Sequence, residues 1–212
     1  MSSANEPFPG VTARCLPLRG GVAAVVLLAA LAGCSGGSSG VVYNSSFTIG
    51  YDPFSVGAEM SSAPLLVETY GSPAAGLAAE TVRQATVQSL RQYGATWFPR
   101  NYTANPLDAG NRPYRLRIAY NVPRAFDRQL VCSTTMGSDV LEAARRQGED
   151  TSRRTLASFC RGETTLGTAE GAPGAAAEVG SESFSRFVGH LGREVMPRRN
   201  PERDDCLFRN CD

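Results

Sequence analysis

The chain has 212 residues, 42 % of them hydrophobic and 19 % charged, with 21 basic residues against 20 acidic ones. These values exclude a wholly disordered chain and a polytopic membrane protein, and they suffice for one domain with a buried core plus tails. All the basic residues are Arg, and a net charge of +1 lacks the positive excess that dominates nucleic-acid binding, so no nucleic-acid partner is expected.

The chain opens with the layout of an export signal. Arg14 and Arg19 form a basic flank, and Gly20 to Ala30 (GGVAAVVLLAA) is an uncharged apolar run that leads into Leu31-Ala32-Gly33-Cys34. The apolar stretch from Gly20 to Gly33 has 14 residues, whereas a membrane-spanning helix needs about 20. A signal segment fits better than an anchor. Leu31-Ala32-Gly33-Cys34 resembles the lipobox of bacterial lipoproteins. That resemblance implies diacylglyceryl transfer to the Cys34 thiol, removal of residues 1–33 and a membrane contact through the lipid. Each buried methylene of such a lipid contributes roughly 0.8 kcal/mol, so two or more chains anchor durably. Ala30-Leu31-Ala32 also fits an ordinary signal-peptidase site, which would leave a soluble secreted protein. Ser35 to Gly40 (SGGSSG) reads as a flexible tether. With Ser rather than Asp at position 35, the lipoprotein resemblance implies the outer membrane before the inner one, with the chain facing the periplasm.

Residues 41–63 mix Tyr43, Phe47, Tyr51 and Phe54 with Gly, Ser, Asn and Pro. They predict an irregular segment with at most a short strand over Ser46 to Ile49, its aromatics along the surface. Together with Cys34 and the tether they form the stretch 34–63, ahead of a single domain over 64–197. Leu65 to Tyr70 (LLVETY) predicts a strand. Ser72-Pro73 then reads as a helix start, with a helical period from Ala74 to Tyr93 and Gly94 as its C-terminal cap. Trp97 and Phe98 precede a turn-rich stretch through Pro113. Tyr114, Leu116, Ile118, Tyr120 and Val122 alternate with polar or small residues, which predicts a strand with one buried and one wet face.

Leu130 to Cys132 suggests a short strand, and Asp139 to Arg146 a short helix within a long loop. Thr155 to Arg161 and Thr164 to Gly171 read as a hairpin about Gly162-Glu163, followed by a loop over 171–180. Ser181 or Ser183 would cap a last helix, Phe184 to Met196, with an apolar stripe of Phe184, Phe187, Val188, Leu191 and Val195. Residues 198–212 form a polar tail. The fold class expected is α/β (α+β): a two-layer sandwich with a mostly antiparallel sheet and two amphipathic helices on one face.

Six cysteines are present. With Cys15 in the signal and Cys34 lipidated, Cys132, Cys160, Cys206 and Cys211 remain in an oxidising compartment, and they allow three pairings. Cys132 with Cys160 is favoured because both fall in strand-like segments, which leaves Cys206 with Cys211. With no CxxC and one histidine, His190, neither a metal site nor a cofactor is expected. His190 falls on the polar side of the last helix. Asp52, Glu59 and Glu68 are the carboxylates to weigh for acid–base work, and Glu68 is expected either on a solvent-facing sheet surface or paired with Arg115 or Arg117. No nucleophile elbow or P-loop occurs, so no catalytic residue is assigned.

LLVETYG before a helix, NRPYRLRIAYNVP, LASFCRG and the Arg/Pro-rich end after FSRFVGHLGREVMP are similar to small periplasmic α/β lipoproteins of uncharacterised function. In element order they also resemble accessory lipoproteins of envelope assemblies. The resemblance implies a non-catalytic module that contacts an envelope protein partner. The alternative is a binding module for a lipid, glycan or small ligand, motivated by the scattered aromatics Tyr43, Tyr51, Phe54, Trp97 and Phe98, with Trp97 and Phe98 as its contact residues, because ring faces stack on sugars and bury acyl chains. A periplasmic hydrolase is the third reading.

Overall fold

The computed structural model describes residues 39–97, 101–110, 112–147 and 153–201. A six-stranded sheet carries the fold. Its strands are β1 (Gly40–Phe47), β2 (Leu65–Tyr70), β3 (Tyr102–Thr103), β4 (Tyr114–Ala119), β5 (Thr155–Arg161) and β6 (Thr164–Pro173), in the spatial order β1-β6-β5-β4-β2-β3. The β1–β6, β6–β5 and β5–β4 pairs are antiparallel, while β2 runs parallel to both β4 and β3. The sheet is therefore mixed but mostly antiparallel, as the element order predicts.

Two long helices, α2 (Ala79–Tyr93) and α5 (Glu182–Val195), pack on each other and on one face of the sheet. The α5 stripe Phe184, Phe187, Val188, Leu191 and Val195 is fully buried, as its spacing requires. Ser181 caps the helix by accepting a hydrogen bond from the Phe184 backbone N–H at 3.1 Å. The two helices approach closely at Gly189, where a Cβ would lie 2.3 Å from the Tyr93 Cβ. On the sheet below, Val67, Leu116, Phe159, Gly167 and Phe47 stand in one row across five strands. At Gly167 the missing side chain makes room for the Phe47 ring, whose Cδ1 would be 3.0 Å from a Cβ there.

Four expectations are corrected. Residues 41–63 are not irregular. Gly40–Phe47 forms the full edge strand β1, Pro53–Glu59 forms the short helix α1, and Tyr51, Val56 and Met60 are core residues. A register shift between Tyr43 and Ser46 and a positive φ at Asn44 interrupt the alternation, which hides this strand. Helix α2 begins at Ala79 rather than Ala74, and Ser72 instead organises a turn with Ala74. Leu130 to Cys132 is not a strand but the end of a 3-10 helix, Arg128–Cys132, capped by Asp127. Finally, the second face of β4 is not wet, because Arg117 and Ala119 are as buried as Leu116 and Ile118.

The reverse face is covered by the 3-10 helix, by α4 (Ser138–Gln147), and by the loops around them. A second, smaller core of Ala119, Val122, Phe126, Val131, Met136, Leu141 and Leu156 lies there. The short helix α3 (Pro106–Ala109) flanks β2 and β3. After α5 the chain turns back to the start of the fold. Asn200 donates to the Thr48 and Tyr51 carbonyls, and the Tyr51 hydroxyl donates to the Pro197 carbonyl at 2.7 Å.

Candidate functional site

Among the described residues, two regions hold side chains able to do more than fill a core. One is an aromatic cleft beside α1. The other is the polar row on the reverse face of the sheet.

The cleft follows from local sequence. Asp52 starts α1, accepting from the Phe54 N–H at 3.3 Å and from the Ser55 hydroxyl at 2.6 Å, and Pro53 occupies the first turn where its missing N–H costs nothing. The helix turns Val56 inward and leaves Phe54 85 % exposed. On the other wall the chain leaves α2 through Gly94 and brings in Trp97. The half-buried indole is held by its Nε1–H, which donates to the Met196 carbonyl at 2.8 Å. Between them opens a cleft of about 680 Å³ lined by Pro53, Phe54, Gly57, Ala58, Trp97 and Arg198, among others. It offers an aromatic face, an aliphatic floor and one guanidinium. That set is chemically matched to an apolar or aromatic group with an acidic neighbour beside Arg198. Trp97 lines this cleft, while Phe98 is outside the described residues. Among the described residues, Phe54 is the other ring that lines the cleft with Trp97.

On the reverse face Glu68, Arg117, Ser158, Thr168 and Ser46 stand in register across five strands. Glu68 pairs with both candidates: Arg117 Nε at 2.5 Å and Arg115 Nη1 at 3.5 Å. Arg117 Nη1 also donates to the Val131 and Ser133 carbonyls at 2.9 and 2.6 Å. A strand arginine therefore clamps the backbone on both sides of Cys132. The Cys132–Cys160 disulfide, with Cα atoms 5.6 Å apart, closes the same attachment covalently. Cys206 and Cys211 lie outside the described residues, as does Cys34. At the far end of the row the Ser46 and Thr168 hydroxyls are 2.8 Å apart. Ser158 is fully buried between them and Arg117, and its hydroxyl has no hydrogen-bond partner among the described residues.

The next row carries a second buried pair. Arg154 grips Glu170 with two hydrogen bonds of 3.0 and 2.9 Å, and Arg128 approaches the same carboxylate at 3.8 Å. Burial pushes the Glu170 carboxyl up. Arg154, Arg128 and a hydrogen bond from Asn44 outweigh that push and hold it below the usual carboxylate range. Tyr70 is shifted the other way: burial and the neighbouring Glu68 raise its phenol to about 12. Glu163 in the β5–β6 turn is held low by hydrogen bonds from the Thr134 hydroxyl and N–H.

The acid–base candidates are each engaged in other work. His190 is half-exposed, with Nε2 3.4 Å from Glu194 one turn along α5, and among the described residues no serine or cysteine hydrogen-bonds to it. Asp52 caps α1, and Glu59 accepts from the Tyr114 hydroxyl at 3.4 Å with Arg161 at 3.9 Å. Glu68 is ion-paired with Arg115 and Arg117. Among the described residues no group of three His, Cys, Asp or Glu side chains is placed to hold a metal ion, and no helix is long and apolar enough to cross a membrane.

Sequence reasoning named Phe54 only among the scattered aromatics, without setting it beside Trp97, and it missed Arg154–Glu170 as a pair. The signal for the pair was faint: Glu170 inside one arm of the predicted hairpin and Arg154 just ahead of the other, with no period to join them. No protein-family model matches the chain, and no curated protein or solved structure matches it.

Proposed function

We propose that this is a lipid-anchored protein of the cell envelope whose domain works by contact, receiving a protein partner at the Phe54–Trp97 cleft. The observation that carries the reading is Phe54: a phenylalanine 85 % exposed, held by a capped helix over a cleft whose other wall is an oriented indole. Aromatic anchors in concave settings dominate protein interfaces. Glu68, Arg115, Arg117, Arg154 and Glu170 on the reverse face are paired and hold the fold. The anchor rests on Leu31-Ala32-Gly33-Cys34, with lipid on Cys34 and the outer membrane as the site of residence. A disulfide between Cys132 and Cys160 supports an oxidising compartment.

Affinity capture from detergent-solubilised membranes tests the contact. The native chain is expected to recover a defined partner that Phe54→Ser loses. Recovery of the same partner by both chains, or of none by either, overturns contact at the cleft. The mass of the N-terminal peptide tests the anchor: an acylated Cys34 is expected, and a chain with a free Cys34 thiol rejects it. The cleft also favours a second reading, a lipid or glycan ligand, because 680 Å³ with aromatic walls lies within the size range of ligand pockets. Native mass spectrometry with acyl chains and cell-wall oligosaccharides separates the two.

A further inference from the structure

We infer that the groove between the 3-10 helix and the β1–β6 ladder binds a small zwitterion of the amino-acid class, a short peptide whose free carboxylate meets Arg128 and whose free ammonium meets Glu163. Among the described residues this groove shares no lining residue with the Phe54–Trp97 cleft, and it needs no lipid on Cys34. It therefore goes beyond contact at the cleft and does not depend on it.

Strand pairing makes the floor. Ser46 is opposite Thr168, and the Thr48 N–H extends the ladder by donating to the Leu166 carbonyl at 3.0 Å. The β5–β6 register shifts after Phe159, so that Thr165 rather than Leu166 lies opposite Cys160. Cys160 is bonded to Cys132 of the 3-10 helix, which fixes it on the reverse face, and its partner Thr165 shares that face with Thr168 and Ser46. The bulge thus turns two threonines three positions apart to the same side. The segment from Arg128 to Thr134 makes the facing wall. Arg117 and the disulfide hold it to β4 and β5, and Glu163 holds its end, its Oε1 accepting from the Thr134 hydroxyl at 2.6 Å and N–H at 3.0 Å. Ser46, Arg128, Gln129, Glu163, Thr165 and Thr168 border a concavity of about 670 Å³, within the size range of small-molecule sites.

Its two charges are of opposite sign and do not neutralise each other. The carboxylate beside Arg128 is Glu170, at 3.8 Å, beyond hydrogen-bond reach, and Glu170 is already gripped by two hydrogen bonds from Arg154. Arg128 therefore keeps its fork of N–H donors for a carboxylate. Both bonds from Thr134 fall on Glu163 Oε1 and keep that carboxyl ionised at neutral pH, and Oε2 accepts from none of the described residues. A lone anion would meet Glu163 as a like charge, a lone cation would meet Arg128, and a polyol would leave both charges unmatched. A molecule charged at both ends satisfies both, with the Ser46, Thr165 and Thr168 hydroxyls and the Gln129 amide between them for its peptide groups. Ser158 adds a further polar demand. It stands next to Thr168 in the row, fully buried, and its hydroxyl has no partner among the described residues.

The test uses the full chain in detergent with tri-alanine as the probe, read by isothermal titration at fixed ionic strength. N-acetyl-tri-alanine lacks the ammonium, and tri-alanine amide lacks the carboxylate. Loss of either charge is expected to weaken binding by roughly tenfold. Arg128→Gln is expected to bind tri-alanine and its amide alike while still rejecting the acetylated form, and Glu163→Gln the reverse. Both side chains are exposed, and the amide oxygen introduced at position 163 can still accept from Thr134, so both variants should keep the native thermal midpoint. No saturable binding of millimolar tri-alanine overturns the proposal, as does equal affinity for the free and the blocked peptides, a comparison that needs no variant. Discrimination that survives both substitutions places the charges elsewhere and rejects this groove. Tighter binding of maltotriose than of tri-alanine makes it a polyol site and rejects the zwitterion. Phe54→Ser should leave tri-alanine binding unchanged; its loss there would seat the peptide in the cleft and reject the groove, whereas failure of partner capture at the cleft leaves this result standing.

Discussion

The two faces of the sheet are held by different physics. The helix face is an apolar lock. Leu116, Ile118 and Phe159 lie under the α5 stripe, and two glycines let backbone and ring approach where a Cβ would collide. Its stability scales with area removed from water. The reverse face has a polar row running through it, Glu68–Arg117–Ser158–Thr168–Ser46, and it is closed by directional bonds: an ion pair, an arginine clamp on two carbonyls, and a disulfide. A buried ion pair adds little net stability against an apolar replacement, yet it is expensive to break in half. The reverse face therefore specifies where the 3-10 helix sits more than it adds to the total, and the helix face does the reverse.

The contrast can be broken from either side. Phe187→Ala opens the helix-face core between α5 and the sheet, and it should destabilise by about 3–5 kcal/mol in urea unfolding. Removing the disulfide by Cys132→Ala with Cys160→Ala frees a loop spanning 28 positions and should cost roughly 3 kcal/mol. Amide exchange is then expected to rise over residues 128–136 before it rises in α5. Uniform exchange across both regions would mean the two faces open together. Glu68→Gln leaves Arg117 buried and half-paired, for about 2 kcal/mol. Adding Arg117→Met should recover much of that loss. A double variant less stable than the single one would contradict a pairing that acts through specificity.

Titration sharpens the comparison at smaller amplitude. Glu170 is held below its ordinary range in the fold, so its contribution is present above about pH 4.3 and is lost as pH falls through the folded value. Tyr70 is shifted up to about 12, so the fold retains the phenol proton; that contribution is present below about pH 10 and is lost as pH rises toward 12. Urea midpoints across pH should decline at both ends. Glu170→Gln should flatten only the acid limb, and Tyr70→Phe only the alkaline one.

The helix face was legible because its pattern is local. Phe184, Phe187, Val188, Leu191 and Val195 mark one stripe in fourteen residues of helix, and Tyr114 to Ile118 alternate cleanly. The Cys132–Cys160 pairing was legible from compartment and element order, although Cys132 proved to lie in a 3-10 helix rather than a strand. The reverse face was not. Alternation in β4 shows that its two sides differ, but nothing near Arg117 in sequence reveals that residues 128–147 fold back over it. Strand β1 was obscured by its register shift and by an outward side rich in Ser and Asn. At the cleft, Trp97 was legible as an aromatic outlier. Its partner across the gap, Phe54, is set by the turn of α1, which a seven-residue helix with glycine inside does not announce.

Contact at the cleft is tested most directly by placing a photo-activatable side chain at position 54 in living cells, with position 107 as the control. Leu107 is 88 % exposed, much as Phe54 is, but lies on α3 rather than on the cleft wall. A discrete crosslinked species from position 54 and none from position 107 is the expected result. Equal crosslinking from both positions, or none from position 54, would contradict a partner seated against Trp97.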